Sequence, residues 1–421
     1  VIYDARSVVI STLRIYDAVR RSLLLNEDYK ITRPDLYAGT TLMRCGLWIN
    51  RNTTRIVGEF PGVEVGDIFF FRMELCCIGM HGPVQGGIAY LQPKESIYDT
   101  VVAISIISSG GYSAEDCGDI LIYTGQGGRQ GPDGKQAADQ KLERGNLAME
   151  CSYKNNVPVR VIRGIKDPNS PSGKTYTYDG LYWIENAWAE KTRSGFKEFK
   201  FKLNRFPGQP ELGSAMIKLS NELRNLPHLR EGLRFHDISA GKEALPVCVV
   251  NTVDDDEGPE PFHYTTSMHN VHSGSMKNCL CLRKYGNKAP YLSNGFLVKE
   301  RAIIHECGGS CQCSINCMNR LTQRPSRFRF EVFKSEEKGW GLRSQDVIPS
   351  GSFVCEYVGR IVDDKHPFAD KPLQPYIMPP RNVRELRPRA RRAAERALKK
   401  AANREAKLAL LEQANPSTVP M

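Results

Sequence analysis

The chain has 421 residues, with 58 Lys or Arg against 47 Asp or Glu, a formal charge of +11 and a pI near 9.0. That length holds two or three domains with a sizeable core. No run of eighteen apolar residues occurs and no signal peptide opens the chain, so neither a membrane span nor export is expected. A basic balance suits a polyanionic partner. The chain opens on Val1 rather than Met, so the expectation is a fragment whose start is missing.

Residues 4–30 place Val8, Val9, Leu13, Ile15, Tyr16, Val19, Leu23 and Leu24 at helical spacing, which predicts an amphipathic helix ended by Arg33-Pro34. A second short helix is expected over 38–48. From 58 to 206 the pattern changes to strands, at 101–107, 120–124, 157–165 and 196–203, with a Gly-rich loop at 125–128 and a turn-rich stretch at 131–136. This reads as a β-rich domain with few helices. Residues 254–261 form an acidic, proline-bearing linker. Residues 328–361 are strand-like again, 365–380 are proline-rich, and 389–413 predict an Ala, Arg and Lys helix. Between 381 and 412 there are eleven Lys or Arg against four Asp or Glu, so most of the net charge sits in this tail.

Six of the thirteen cysteines crowd together: Cys279 and Cys281, then Cys307, Cys311, Cys313 and Cys317. A one-residue spacer does not suit both cysteines to one disulfide, but it suits thiolates aimed at adjacent metal ions. Closed all-cysteine shells are the usual structural zinc site. The alternatives are reduced surface thiols or a disulfide knot. The other seven (Cys45, Cys76, Cys77, Cys117, Cys151, Cys248 and Cys355) have no framework spacing, which fits a reducing compartment and favours metal.

Three tyrosines stand beside glycines. Tyr112 follows Gly110-Gly111, Tyr123-Thr124-Gly125 ends a strand, and Tyr178-Asp179-Gly180 precedes Leu181. Each alone reads as a turn residue with its ring laid on the core. Taken with Pro61-Gly62-Val63-Glu64-Val65-Gly66-Asp67, Val159-Arg160-Val161-Ile162-Arg163-Gly164 and Gly208-Gln209-Pro210-Glu211-Leu212, the stretch resembles the SRA, or YDG, domain that binds methylated cytosine. The resemblance implies a curved, barrel-like β fold that flips methylcytosine out of the duplex. A flipped base needs aromatic faces and polar groups for its pairing edge. By resemblance Tyr112 and Tyr123 sandwich the base, and Glu115 or Asp116 accepts a hydrogen bond from its amino group. Thr124 lines the pocket, and Gln85 is the thumb that fills the vacated space. Where the family has Tyr-Glu-Asp-Asp, this chain has Tyr112-Ser113-Ala114-Glu115-Asp116 in a segment one residue shorter.

The cysteine region, with Glu306-Cys307-Gly308 and Asn316-Cys317-x-Asn319-Arg320, resembles a pre-SET domain, in which nine cysteines hold three zinc ions. Three of those cysteines are missing before Cys279, where His263, His269 and His272 lie nearby. Residues 329–333, 338–343 and 353–359 resemble the opening of a SET methyltransferase domain. There Lys338, Gly339 and Trp340 would be the remnant of the turn that meets S-adenosylmethionine.

This order of modules resembles the plant suppressor-of-variegation homologues (SUVH), histone H3 lysine-9 methyltransferases. The implied architecture is α+β and multidomain: N-terminal helices over 1–57, the SRA domain over 58–212, a connector over 213–245, pre-SET over 246–325, a partial β-rich SET domain over 326–364 and a basic helical tail over 365–421. The resemblance stops near Asp364, before every catalytic segment of SET. No catalytic residue is therefore assigned, and the chain alone is expected to lack methyl transfer, which is mostly a positioning task. The implied partners are methylated DNA, the histone H3 tail and silencing-complex proteins, with no membrane. The implied location is nuclear chromatin, at centromeric heterochromatin. An active histone-lysine methyltransferase in full-length form and a non-catalytic scaffold are the alternatives.

Overall fold

The computed structural model describes residues 4–24, 31–47, 56–109, 115–130, 135–192, 195–223, 227–266, 289–308, 311, 313–314 and 316–358. Tyr112, Cys279, Cys281, His269, His272 and the basic tail lie outside the described residues.

Helix α1 (Ala5–Leu23) begins where the Asp4 carboxylate accepts the Ser7 amide at 2.9 Å. Its last turn carries Arg20 and Arg21, both paired to Asp17, which suits the negative end of the helix dipole. The helix stops at Leu23. Pro34 does not end it but opens α2 (Pro34–Arg44), because a first-turn position needs no amide donor. Tyr16, Ala38 and Leu42 of this pair pack on Met73, Cys76 and Cys77 of α3 (Arg72–Ile78).

The central element is an eight-stranded sheet. Its strands are β1 (Ile68–Phe69), β2 (Ile88–Leu91), β3 (Val102–Ser108), β4 (Glu115–Asp116), β5 (Ile120–Thr124), β8 (Val159–Lys166), β9 (Lys174–Lys191) and β10 (Lys197–Arg205). The order is β2-β3-β8-β9-β10-β5-β4, with β1 added beside β9. Only the β3–β8 pair is parallel within it. The short ribbon β6 (Arg129–Gln130) and β7 (Lys135–Gln136) stands apart. The α+β expectation holds, but the barrel-like form does not. Among the described residues β2 and β4 are free edges that do not pair with each other, so the sheet is open. Side chains join its margins instead: Ile88 of β2 and Tyr123 of β5 share one core with Leu121, Val161 and Phe201, covered by Ala148 and Met149 of α4 (Arg144–Lys154).

Strand β9 runs through Tyr178-Asp179-Gly180, so this tyrosine lies in a strand interior and not at a turn. The β8–β9 register slips here, and Gly180 takes φ +101° at the irregularity. A Cβ on Gly180 would lie 2.3 Å from Gln209 Oε1. That oxygen accepts the Leu181 amide at 2.7 Å, while Gln209 Nε2 donates to the carbonyls of Leu181 and Phe206. Two of the quoted motifs therefore complete one another's hydrogen bonding.

After α5 (Gly213–Leu223) a second sheet has the order β11-β12-β13-β14. It comprises β11 (Leu233–Phe235), β12 (Cys248–Val250), β13 (Phe330–Ser335) and β14 (Gly339–Ser344). Among the described residues, the strand-like reading of 328–361 holds only as far as Ser344. Gly180→Ala is expected to destabilise the chain by at least ~1–2 kcal/mol, the cost of a left-handed non-glycine residue before the clash is counted. Urea denaturation checks this, and an unchanged midpoint would contradict it.

Candidate nucleic-acid and metal sites

Tyr123 and Thr124 close strand β5, and both are buried. The β10 register sets Phe201 opposite Tyr123 and Lys200 opposite Thr124. Lys200 Nζ donates to Thr124 Oγ1 at 2.8 Å and lies 3.5 Å from Glu198 and 3.6 Å from Glu190. A lysine buried to 6% exposure needs such partners. Sequence reasoning missed it, because Lys200 sits in an alternating Phe199-Lys200-Phe201-Lys202 run that reads as one wet face.

Gly125, next along, is held by buried amides. Gln140 Nε2 donates to its carbonyl at 2.8 Å. Asn146 Oδ1 accepts the Gln126 amide, and its Nδ2 donates to the carbonyls of Gln126 and Lys141. The Gly-rich loop at 125–128 thus leaves the sheet in a fixed direction, beside an opening of about 500 Å³ lined by Arg129, Lys141 and Arg144.

The two candidate acids form β4, with Glu115 opposite Ile122 and Asp116 opposite Leu121. The Asp116 carboxylate accepts Arg163 Nε at 2.7 Å, a second Arg163 nitrogen at 2.9 Å and the Gly118 amide at 3.0 Å. Burial alone would raise the Asp116 pKa, but its hydrogen bonds and the Arg163 charge outweigh burial and hold it below the usual carboxylate value. Arg163 also donates to Asp179 at 2.8 Å and to Tyr182 Oη at 3.0 Å. Asp116 is therefore a structural anchor whatever else it does.

Gln85 lies on the surface loop between α3 and β2. It edges a cleft of about 330 Å³ also lined by Arg33, Arg72, Ser172 and Tyr176. A Cβ at Gly87 would lie 2.6 Å from Tyr123 Oη, so the loop and the β5 tyrosine are in close approach.

In the cysteine region the thiols of Cys307, Cys313 and Cys317 lie within 4.8 Å of one another. Cys307 is buried, and Asn319 Nδ2 donates to its sulfur at 3.4 Å. Arg320 donates to Cys313 Sγ at 3.4 Å and to the Cys311 carbonyl at 3.2 Å. The Arg320 hydrogen bond is the main cause that holds the Cys313 thiol below its ordinary pKa. Three convergent soft donors, one biased toward thiolate, are a donor set that can hold a metal ion. Cys311 is not part of this trio of thiols.

Lys338 ends the β13–β14 turn, and Gly339, at φ +68°, and Trp340 open β14 opposite Ser335 and Lys334. The Lys338 amide donates to Ser335 Oγ, and Lys334 Nζ lies 5.6 Å from the Trp340 ring centre.

Residues 56–209 match the SAD/SRA domain family, and residues 239–320 match the Pre-SET motif. The chain is 44% identical over 374 residues to the H3 lysine-9 specific histone-lysine N-methyltransferase SUVH1 of Nicotiana tabacum, covering 83% of this chain and 53% of the relative. It is 43% identical to the family member SUVH9 of Arabidopsis thaliana, over 84% of this chain and 58% of that protein. The chain thus spans little more than half the length of these curated relatives. The crystal structure of SUVH9 superposes with a TM-score of 0.74 at 42% identity, covering 84% of this chain and 75% of that one. The structure of KRYPTONITE in complex with mCHG DNA and SAH superposes with a TM-score of 0.70 at 36% identity, covering 85% and 78%.

The Asp116 pKa is lowered on folding, so its contribution to stability is present above the unfolded value of 3.8 and lost as pH falls through the lower folded value. Asp116→Asn is therefore expected to lower stability at pH 7 and to narrow its deficit against the parent chain as the pH drops below 3.8. Urea midpoints across that range check this, and a deficit independent of pH would contradict it.

Proposed function

Because the chain belongs to the SUVH histone-lysine N-methyltransferase family, we propose that its working activity is the recognition of methylated cytosine in DNA by base flipping. One observation carries this reading. Tyr123 and Thr124, an aromatic face and a hydroxyl, end one strand against the loop that bears Gln85. An extruded base loses stacking, and a tyrosine ring replaces it. Tyr123 stacks on the base, with Tyr112 as its expected opposite face. Thr124 lines the pocket, and Gln85 enters the space left in the duplex. The base amino group meets a carboxylate of the Glu115–Asp116 strand. Because Arg163 already holds Asp116, Glu115 is the acid whose substitution tests that contact alone.

A titration of the full chain with one duplex, methylated and unmethylated, at one near-physiological salt concentration tests the proposal; salt must be fixed because phosphate contacts dominate affinity. Tighter binding of the methylated duplex is expected, and because base–aromatic stacking is worth about 1–3 kcal/mol, Tyr123→Ala is expected to weaken that binding roughly tenfold or more and to remove the preference. Equal binding to both duplexes would overturn the reading.

Zinc is the metal proposed for Cys307, Cys313 and Cys317, with Cys311, Cys279 and Cys281 as further donors. Its role is structural, since metal binding of this kind contributes folding free energy. Chelation, or Cys307→Ser, is expected to lower the melting temperature and the bound zinc per chain. A zinc content of zero in protein purified without chelator would contradict this.

S-adenosylmethionine is the family's methyl donor. The hydrogen bonds and ring contact described for Lys338 and Trp340 are internal to their hairpin. Methyl transfer to the histone H3 tail is the activity that the family's SET domain carries. The location proposed with the DNA-reading role is nuclear chromatin, including centromeric heterochromatin.

A further inference from the structure

The loop of residues 81–87 has an unusual division of labour. Gln85 is exposed, yet its own carbonyl and the two that follow are all hydrogen-bonded within the protein. His81 is fully buried. Its Nε2 lies 2.9 Å from the Gly86 carbonyl and its Nδ1 lies 2.8 Å from Ser105 Oγ. A carbonyl only accepts, so Nε2 carries the proton, and Nδ1 then accepts from the Ser105 hydroxyl. Burial pushes the His81 pKa down to about 3, the charges of Arg72 and Arg160 act in the same direction, and the Gly86 bond opposes them. The ring is therefore neutral and held in one tautomer.

Arg72, at the start of α3, reaches the same loop from the other side. One guanidinium nitrogen donates to the Gln85 carbonyl at 3.0 Å and to the Gly86 carbonyl at 3.4 Å. The other donates to Ser109 Oγ at 3.3 Å, and the group lies 5.8 Å from the Tyr176 ring centre. The Ile107 amide donates to the Gly87 carbonyl at 2.8 Å. Three successive carbonyls, at 85, 86 and 87, are thus fixed, and the last belongs to the glycine that abuts Tyr123 Oη.

Ordinary surface loops leave most of their carbonyls to water, whereas this one takes up a fully buried histidine and a half-buried arginine as donors. Here the fixed backbone presents one exposed amide side chain. We infer that Arg72 and His81 are positioning residues for Gln85: they hold the backbone from which its side chain enters the space left by an extruded base. This rests on the base-flipping reading and adds to it the residues that make insertion pre-organised, which is the condition under which binding energy is not lost to ordering the loop.

A double-mutant cycle tests the inference on the full chain. Arg72→Met, Gln85→Ala and the double variant are titrated with methylated and unmethylated duplex at one salt concentration. Each single variant is expected to lower the methylated-to-unmethylated preference about fivefold, and the double variant no further than Gln85→Ala alone. Ser105→Ala, which removes only the hydroxyl donated to His81, repeats the cycle if Arg72→Met melts too low, with the same expected non-additivity. Losses that multiply in the double variant would overturn the inference. So would an Arg72→Met chain that weakens on both duplexes equally, which marks a plain phosphate contact. An unsubstituted chain without preference would instead overturn the base-flipping reading, and this assignment with it.

Discussion

A single guanidinium inside the sheet organises the region around the proposed base pocket. Arg163 of β8 reaches Asp116 of β4 and Asp179 of β9, and also the Gly118 carbonyl and Tyr182. Its side chain is 3% exposed and that of Asp179 is fully buried. Taking such charges out of water costs several kcal/mol per ion, and the cost is offset only where geometry and hydrogen bonding are complete. Two carboxylates, a carbonyl and a phenol meet that condition. The result is that β4, a two-residue edge strand with little ladder of its own, is held in place beside β5. Strand β5 carries Tyr123 and Thr124. The proposed pocket thus depends on a buried ionic network, since among the described residues the sheet does not close.

Arg160, three residues earlier on β8, shows the contrast. Its described hydrogen bonds go to the carbonyls of residues 56 and 58, and burial lowers its pKa to about 10. It ties the entering chain to the sheet without a carboxylate. Similar bonds join the modules. Arg21 of α1 donates to the Leu297 carbonyl at 2.7 Å. Arg329 donates to the Ser220 carbonyl and pairs with Asp346. Glu331, buried in the second sheet, pairs with Arg230 and Arg343. Arginine suits all these places because its planar fork satisfies several acceptors at once.

Much of this was legible in the sequence wherever one face of an element is apolar and the other wet. Strand β5 matches its expected bounds, and β3, β8 and β10 fall within a few residues of theirs. The misses have physical causes. Pro34 suggests a stop because proline breaks helices, but at the first position it starts one. Gly180 and its tyrosine suggest a turn, because a bulge inside an 18-residue strand uses the same residue type as a tight turn. Helix α4 buries Gly145 and Asn146 and has a weak apolar stripe, so its periodicity was faint. The site residues are named through resemblance. Their supports, Lys200, Arg163, His81 and Arg72, are not, since nothing in a linear pattern marks a polar side chain as partnered inside the fold.

The most direct measurement places 2-aminopurine beside the methylcytosine and follows its fluorescence as the full chain binds. Extrusion of the neighbouring base relieves stacking, so the account predicts a rise on the methylated duplex. It predicts none on the unmethylated duplex or with Tyr123→Ala. Saturated binding of the methylated duplex with no change in fluorescence would contradict it.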